Sequence, residues 1–372
     1  MDRLIIYFSQ NQHIMSVLAA IAVLAVLIIV HELGHFSAAR LQGIRVSRFS
    51  IGFGPALAKY QGLETEYAIR AFPLGGYVGF PDDDPDSDIS PDDPNLLRNR
   101  PILDRAIVIS AGVIANLIFA YFLMVGQAMT VGIPDLSPGV LVPEIMSENS
   151  VAVQSGIQAR DVILEADGHL LSNKPESIKE LQKIIQASPE APVPLTIQRG
   201  EETLLLQVVP QRSEEGQGRI GVKLAPNIVQ KRTQSLFEAF GLGADAFQNL
   251  TVLTVKGFWQ LISHFQENAQ QVASPVKIVE YGAAIARNNA GNLFQFAALI
   301  SINLAIINIL PLPALDGGQL AFLFIEGLQG RPLSRKIQDG IMQTGLVLLL
   351  GFGVFLMVRD TANLAIIQAL FQ

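Results

Sequence analysis

The sequence predicts a polytopic α-helical membrane protein with about four transmembrane helices, a membrane-associated β-hairpin and an inserted α+β domain. Half of the 372 residues are hydrophobic, only 16% are charged, and the mean hydropathy is +0.37. This composition is too apolar for an ordinary soluble enzyme and is typical of a chain with several bilayer-spanning segments. The net charge of -7 predicts no nucleic-acid partner, because a basic surface would be expected for one.

Four stretches are apolar and long enough to span, since crossing the hydrocarbon takes about 20 helical residues. They cover residues 14–39, 106–130, 293–315 and 341–358. A cleaved signal peptide is the alternative for the first stretch. Its apolar run is longer than the usual signal segment of about 7 to 15 residues and continues directly into His31, so we expect a retained helix.

The distribution of Lys and Arg predicts the orientation. The segment 42–105 carries seven of them and the segment 317–340 carries three, whereas the chain before the first span and after the last carries one each. By the positive-inside rule the two basic segments are cytoplasmic, and the insert between the second and third spans lies outside. The sequence therefore predicts a first membrane half, an extracytoplasmic domain, an amphipathic linker and a second membrane half. Their limits are 1–130, 131–228, 229–292 and 293–372.

The insert has the pattern of a small α+β domain. Alternating residues predict a hairpin turn at Arg199-Gly200 and a helix capped by Ser172 or Asn173. The predicted strands are 140–144, 194–199, 203–209 and 219–224. Residues 155–171, SGIQARDVILEADGHLL, resemble the core of a PDZ domain, with Arg160 where that pattern usually has Gly. The resemblance implies peptide binding at a sheet edge, and an α+β spacer without a ligand is the alternative.

The first span ends in IVHELGHF, residues 29–36. On a helix, His31 and His35 face the same way and can bind one metal ion, with Glu32 beside them. The chain has no cysteine, so His, Asp or Glu must hold any metal. HExxH is typical of a zinc site in which the Glu takes a proton from water. Histidines that only pack between helices are the alternative, which is weak inside an apolar span.

A third ligand is predicted at Asp316. Pro311 and Pro313 cannot continue a helix, and the glycines at 317–318 loosen the next stretch of backbone. Asp316 is therefore expected on broken backbone at membrane depth, which is tolerated only inside protein or beside a wet cavity. A carboxylate there can complete a His, His, Asp shell for Zn²⁺. A helix-stop role for Asp316, or Glu326 as the third ligand, are the alternatives.

These motifs in this order resemble the site-2 protease family of intramembrane zinc metalloproteases, in the bacterial branch that carries a PDZ insert. The resemblance covers nearly the whole chain, from HELGH through the PDZ-like insert to NILPLPALDG at 308–317. Val113 and Ser274 depart from the family pattern, which usually has Pro and Gly there. The resemblance implies that His31, His35 and Asp316 are zinc ligands. It also implies that Glu32 is the catalytic base and that Asn308 holds the substrate backbone.

The same resemblance implies partners and location. The substrates would be single-span membrane proteins, such as anti-sigma factors, cut within or near the bilayer after another protease has trimmed them (regulated intramembrane proteolysis). Membrane lipid would surround the enzyme. The location would be the bacterial inner membrane or an equivalent, with the PDZ-like domain on the extracytoplasmic side.

Several polar groups have two interpretations. Residues 44–80 alternate and contain many glycines, which predicts a hairpin that dips into protein, and in the family such a sheet lies beside the active site. Asn303, Asn308 and Asn116 are candidate substrate-binding residues, with interhelical contacts as the alternative. The acidic tract at 81–94 is expected to be a solvated loop.

The linker contains an apolar face that predicts a membrane-surface helix or gate rather than a fifth span. The residues of that face are Phe237, Phe240, Phe247 and Leu250. Two other functions compete with a protease: an inert membrane-anchored PDZ scaffold, against which the intact motifs argue, and a transporter, which internal repeats would favour. The sequence shows no such repeats.

Overall fold

The computed structural model describes residues 2–84, 88–147 and 149–362. These ranges contain ten α-helices and ten β-strands. In chain order they are α1 (Asp2–Leu41), β1 (Arg48–Gln61), β2 (Glu66–Gly79), α2 (Ile102–Thr130), β3 (Ile133–Leu141), α3 (Val151–Gln154), β4 (Val162–Ala166), β5 (His169–Leu170), α4 (Glu176–Ala187), β6 (Val193–Arg199), β7 (Glu202–Val208), β8 (Gln211–Arg212), β9 (Gly218–Arg219), β10 (Ala225–Lys231), α5 (Leu236–Ser263), α6 (Phe265–Asn268), α7 (Pro275–Asn288), α8 (Leu293–Ile309), α9 (Asp316–Gln329) and α10 (Arg335–Ala362).

The elements form two units. Residues up to 131 and from 233 onward form the membrane unit, and residues 132–232 form the insert unit. Residues 85–87 of the acidic tract and 363–372 of the predicted second membrane half lie outside the described residues.

Four helices in the described ranges are long and apolar enough to cross a membrane, which confirms the predicted number. They are Gln12–Leu41 within α1, Ile102–Thr130, Ala290–Ile309 around α8, and Arg335–Ala362. The third helix ends at Ile309 rather than at residue 315, because Pro311 and Pro313 have no N–H to continue the helix. Hydropathy does not detect this end, since the next residues are still apolar.

Close backbone contacts surround α2. A Cβ on Gly34 of α1 would lie 2.4 Å from the carbonyl oxygen of Ala111, so this approach requires glycine. A Cβ on Gly243 of α5 would lie 2.7 Å from a methyl group of Val125. Helices α8 and α9 also pack on α2. As a result, α2 is the central helix of the membrane unit.

The predicted amphipathic linker contains α5, which packs through one face. Phe247 and Leu250 join a buried cluster with Met124 of α2. Trp259 is 71% exposed and Phe237 is 91% exposed, although the sequence pattern puts Phe237 on the packed face. The predicted apolar face of α5 packs against the protein, but Phe237 is not part of it.

The predicted hairpin is confirmed as two 14-residue strands, β1 and β2. Their pairing goes beyond a simple hairpin. Residues 48–51 pair in parallel with 66–69 and, on their other side, in the reverse direction with 76–79. Gly52 and Gly54 have φ of 87° and 84°, a left-handed backbone that glycine adopts readily and that lets β1 bend. Residues 76–79 thereby become one edge of a curved sheet.

Ion pairs attach this sheet to the end of α1. Arg40 donates to Glu64, which lies in the turn between β1 and β2, and Arg45 contacts the same carboxylate at 3.6 Å. The hydrogen bond from Arg40 lowers the pKa of the Glu64 carboxyl. Exposed ion pairs contribute little stability, so these contacts mainly orient the turn.

The insert unit is the predicted α+β domain. Its main sheet has the strand order β10-β3-β4-β6-β7, with β5 paired to β4 and all neighbours antiparallel. Ile163, Leu181 and Leu195 are fully buried in a core that this unit builds from its own residues. A domain with its own core can fold as a unit.

The structure corrects three local predictions in the insert. The strand predicted at 140–144 begins at Ile133 and ends at Leu141. The strand predicted at 219–224 stops at Arg219, because Gly221 has a φ of 78° that interrupts the extended backbone. The helix begins after Pro175, so neither Ser172 nor Asn173 is its N-cap. The predicted turn after Arg199 is confirmed, since β6 and β7 pair as a hairpin around it.

A buried carboxylate holds the turn before β4. Asp161 is fully buried and accepts hydrogen bonds from the Gln158 amide at 2.7 Å and from two nitrogens of Arg199 at 2.8 Å. Arg160 has a φ of 74°, which is the left-handed conformation that glycine usually provides in the PDZ pattern. The turn therefore keeps its geometry without glycine.

Replacing Arg199 with methionine should destabilise the insert, because Asp161 would stay buried without its cation. We expect a loss of about 2 kcal/mol, less than the roughly 3–5 kcal/mol of a fully buried pair, because the Arg199 side chain is 31% exposed. Amide hydrogen exchange of β4 and β6 in the full-length protein measures this loss. The control is Arg212→Met, whose pair with Glu190 is exposed and should contribute little. Equal exchange in both variants would contradict the assignment.

Candidate active site

Three side chains of the membrane unit converge on one point. His31 Nε2 lies 3.2 Å from His35 Nε2 and 3.3 Å from Asp316 Oδ2, and His35 Nε2 lies 3.4 Å from the same oxygen. Four ligands at about 2.0–2.1 Å from a tetrahedral zinc ion are separated by about 3.3 Å. The three observed separations therefore fit a zinc ion. Asp316 Oδ2 is buried and receives no well-directed hydrogen bond within the described residues. A buried carboxylate oxygen without a donor is stabilised by a cation, so this atom is suited to bind a metal ion.

Space for the two imidazoles comes from a glycine on α2. The rings of His31 and His35 pack edge to face, with centroids 4.7 Å apart. A Cβ on Gly112 would lie 2.3 Å from His35 Nε2 and 2.7 Å from His31 Cε1. Any side chain at this position would occupy the place where the rings meet the metal site.

The outer nitrogens of both rings face α2. His35 Nδ1 lies 2.8 Å from the carbonyl oxygen of Val108, and His31 Nδ1 lies 3.4 Å from the side-chain nitrogen of Asn116. The Val108 carbonyl can accept only from a protonated Nδ1, so Nε2 of His35 keeps its lone pair for a metal.

A tight bend brings Asp316 to the histidines. The chain leaves α8 at Ile309, turns through Ala314 with a φ of 69°, and enters α9 at Asp316 itself. A Cβ on Gly317 would lie 2.1 Å from the carbonyl oxygen of Leu310, so the bend requires glycine there. Pro313 packs against Gly345 of α10. Pro311, Pro313 and Gly317 together determine the path of the bend.

The alternative third ligand, Glu326, has a different partner. Both of its carboxylate oxygens accept hydrogen bonds from Arg105 of α2, one of them at 3.1 Å, and both side chains are mostly buried. A carboxylate that is fully engaged with an arginine is a poor metal ligand. The pair also attaches α9 to α2.

The β-sheet reaches the site at Glu32. A Cβ on Gly76 of β2 would lie 2.8 Å from Glu32 Cγ, so the strand backbone passes directly beside this carboxylate. Asn308 lies close as well, with its side-chain nitrogen 3.3 Å from His31 Nε2.

The other two asparagines differ from Asn308. Asn116 is fully buried beneath His31. Asn303 is five residues before Asn308 and faces about 140° away on an ideal helix. No hydrogen bond within the described residues joins Asn303 to the cluster.

Sequence reasoning missed Gly112, Gly76 and the Arg105–Glu326 pair. For the pair a signal existed, because two opposite charges in apolar surroundings usually find each other. Gly112 stands in the second span, where small residues allow close helix packing, but nothing in the sequence shows which neighbour approaches it.

Known proteins are similar to this chain along almost all of its length. The model of peptidase family M50 matches residues 19–352. A protein of Synechocystis sp. that is named a zinc metalloprotease is 61% identical over 355 residues, which cover 95% of this chain and 97% of that one. The membrane metalloprotease ARASP, chloroplastic, of Arabidopsis thaliana is 48% identical over 359 residues, which cover 95% of this chain and 80% of that one.

Among solved structures, the PDZ domain of an SdrC-like protein from Listeria monocytogenes covers 23% of this chain and 87% of its own chain. Its sequence identity is 21% and its TM-score is 0.21.

The fold, the metal-binding cluster and these relatives define a class of protein, the integral-membrane zinc metalloproteases. The chain belongs to peptidase family M50, the site-2 protease family. The family, the enzyme class and the zinc cofactor that the sequence motifs predict are thereby confirmed.

Replacing Gly112 with alanine should weaken zinc binding by at least about tenfold, because the new methyl group would displace Nε2 of His35 from the cluster. Competition with a chelator measures the zinc dissociation constant of the purified protein. Gly126→Ala is the control on the same helix, since its Cβ would meet only the ring edge of Phe294 at 3.3 Å. Wild-type zinc affinity in the Gly112 variant would show that the imidazoles lie elsewhere when metal is bound.

Proposed function

We propose that the protein hydrolyses peptide bonds within or near the transmembrane segment of single-span membrane proteins. His31, His35 and Asp316 are the zinc ligands in this proposal, and Glu32 is the general base. The observation that carries it is the convergence of three ligand atoms near the Glu32 carboxylate, two of them from a helix that is apolar enough to span a bilayer.

The residues divide the chemistry among them. Zinc held by the three side chains would polarise the attacking water and the scissile carbonyl. Glu32 takes a proton from that water and passes it to the departing amine. Asn308 carries N–H groups at the edge of the cluster, where they can donate to the substrate backbone.

The substrate has to arrive in an extended conformation. A transmembrane helix hides its amides in internal hydrogen bonds, so a protease cannot reach them until the helix unwinds. Residues 76–79 of β2 form an edge of the sheet next to Glu32, and no second strand of the described residues pairs along their outer side. An extended segment that adds to this edge would pass the zinc site, with the backbone hydrogen bonds of the lost helix replaced.

Substrate class and location extend this proposal. Single-span proteins that another protease has already trimmed, of which anti-sigma factors are one kind, are the partners that the family resemblance implies. The Lys and Arg count supports an extracytoplasmic insert in a bacterial inner membrane or an equivalent. The inert scaffold is disfavoured, because it would have no use for a complete set of ligands beside Glu32.

Cleavage of a single-span model substrate tests the proposal. Glu32→Gln should retain zinc and lose at least about a hundredfold in rate, because an amide cannot accept the proton. Asp316→Asn should lose both zinc and activity. The pair of variants separates base from ligand. If Glu32→Gln cleaves at the wild-type rate, or if Asp316→Asn keeps its zinc, the corresponding role is wrong.

The insert should select substrates rather than take part in bond cleavage. Deleting residues 132–232 is practicable, because Thr233 donates its backbone N–H to the carbonyl oxygen of Ala128, so the two remaining chain ends lie close together. If the insert excludes bulky substrates, the deletion variant cuts a trimmed substrate normally and also cuts an untrimmed one. If the insert captures tails in a peptide groove, cleavage of the trimmed form weakens instead. A folded variant that cuts only the trimmed form, at the normal rate, would contradict both.

A further inference from the structure

Asn116 is an unusual residue for the middle of an apolar helix. It lies on α2, is fully buried, and faces His31 of α1. Its backbone carbonyl oxygen accepts a hydrogen bond from Ser301 of α8 at 2.8 Å, and both of these groups are buried. Its side-chain oxygen has no hydrogen-bond partner within the described residues. A buried amide is costly unless it is paired, and among the described residues its side chain makes a hydrogen-bond contact with the His31 ring, at 3.4 Å.

The chemistry of a metal-bound imidazole gives this contact a direction. His31 presents Nε2 to His35 and Asp316, so Nε2 is the nitrogen that can bind a metal. A neutral imidazole that binds through Nε2 carries its proton on Nδ1 and needs an acceptor there. A half-turn of the Asn116 amide puts its oxygen in place of its nitrogen, 3.4 Å from Nδ1. The amide can therefore accept from His31 when metal is present.

The two histidines are held in different ways. His35 donates from Nδ1 to a backbone carbonyl, that of Val108, which no substitution removes. The equivalent contact of His31 is to a side chain and can be removed. The complete burial of Asn116 also disfavours a substrate contact, since a peptide would have to displace packed helices to reach it.

We propose that Asn116 is a positioning residue that fixes the tautomer and ring orientation of His31 and so strengthens zinc binding. The inference rests on the proposed function, because it requires His31 to be a zinc ligand. It assigns Asn116 to the ligand His31 rather than to the substrate.

The zinc dissociation constant of the purified protein, measured by competition with a chelator, tests the proposal without any activity measurement. Asn116→Leu should raise it about 10- to 100-fold, which is the usual cost of removing such an outer partner. Asn116→Asp keeps an acceptor of the same size and should restore most of the affinity. Ser301→Ala is the control, because it removes a hydrogen bond to the Asn116 backbone and leaves the side chain in place.

Two more measurements distinguish positioning from a general loss of structure. The visible spectrum of the protein loaded with Co²⁺ should change in Asn116→Leu and return in Asn116→Asp. With saturating zinc, kcat should fall while KM stays unchanged, which is the opposite of what loss of a substrate contact would produce. Should Asn116→Leu fail to fold, Asn116→Ala replaces it with the same expectations.

The outcomes separate the two levels of inference. Wild-type zinc affinity and an unchanged Co²⁺ spectrum in the Leu and Ala variants, with Asp316→Asn still impaired, would overturn the role of Asn116 and leave the zinc site intact. Wild-type zinc affinity in both Asp316→Asn and His31→Ala would overturn the proposed function and this inference together.

Discussion

Lipid offers no hydrogen bonds, so a polar side chain inside a membrane-spanning helix has to find its partner in the protein. Helix α2 supplies partners for three side chains of the site and its surroundings. Its Val108 carbonyl binds His35, its Asn116 lies on His31, and its Arg105 pairs with Glu326. Such contacts need short distances between helix axes, which glycines on facing helices provide. The central position of α2 therefore follows from the polar groups of the site as much as from apolar packing.

Helix α9 is held at both of its ends. Asp316 begins it at the histidines, and the Arg105–Glu326 pair holds it about 15 Å further along at the ordinary helical rise. Between α8 and α9 the chain passes through a tight bend of six residues, and a Cβ on Gly317 would lie 2.1 Å from the carbonyl oxygen of Leu310, which leaves no room for a side chain there. The proline and glycine residues there are thus part of the site, because they set the backbone path that brings Asp316 to the histidines.

The sequence predicts those features that depend on spacing along the chain. Four spans, the shared face of His31 and His35, and the break before Asp316 all follow from local rules of helix geometry and apolar length. Features that depend on which surfaces meet could not be predicted. The parallel pairing of residues 48–51 with 66–69 is set by bending at glycines, and the role of Gly112 is set by a helix 77 residues earlier in the sequence, counted from His35. The predicted ends of one helix and one strand in the insert were wrong for a related reason. The backbone conformation at single positions such as Pro175 and Gly221 decides where an element begins or ends, whatever the pattern of the neighbouring residues.

The insert begins and ends on neighbouring strands. Ile133 at the start of β3 pairs with Lys231 at the end of β10, so the chain enters and leaves the domain through a two-stranded stem. A domain on such a stem can be lengthened, duplicated in tandem or exchanged during evolution. The first and last residues of the domain would still lie one strand spacing apart. The helices of the membrane unit would not have to change their connections. Under the proposed function, in which the insert selects substrates, this architecture allows selectivity to diversify independently of the peptide-bond chemistry.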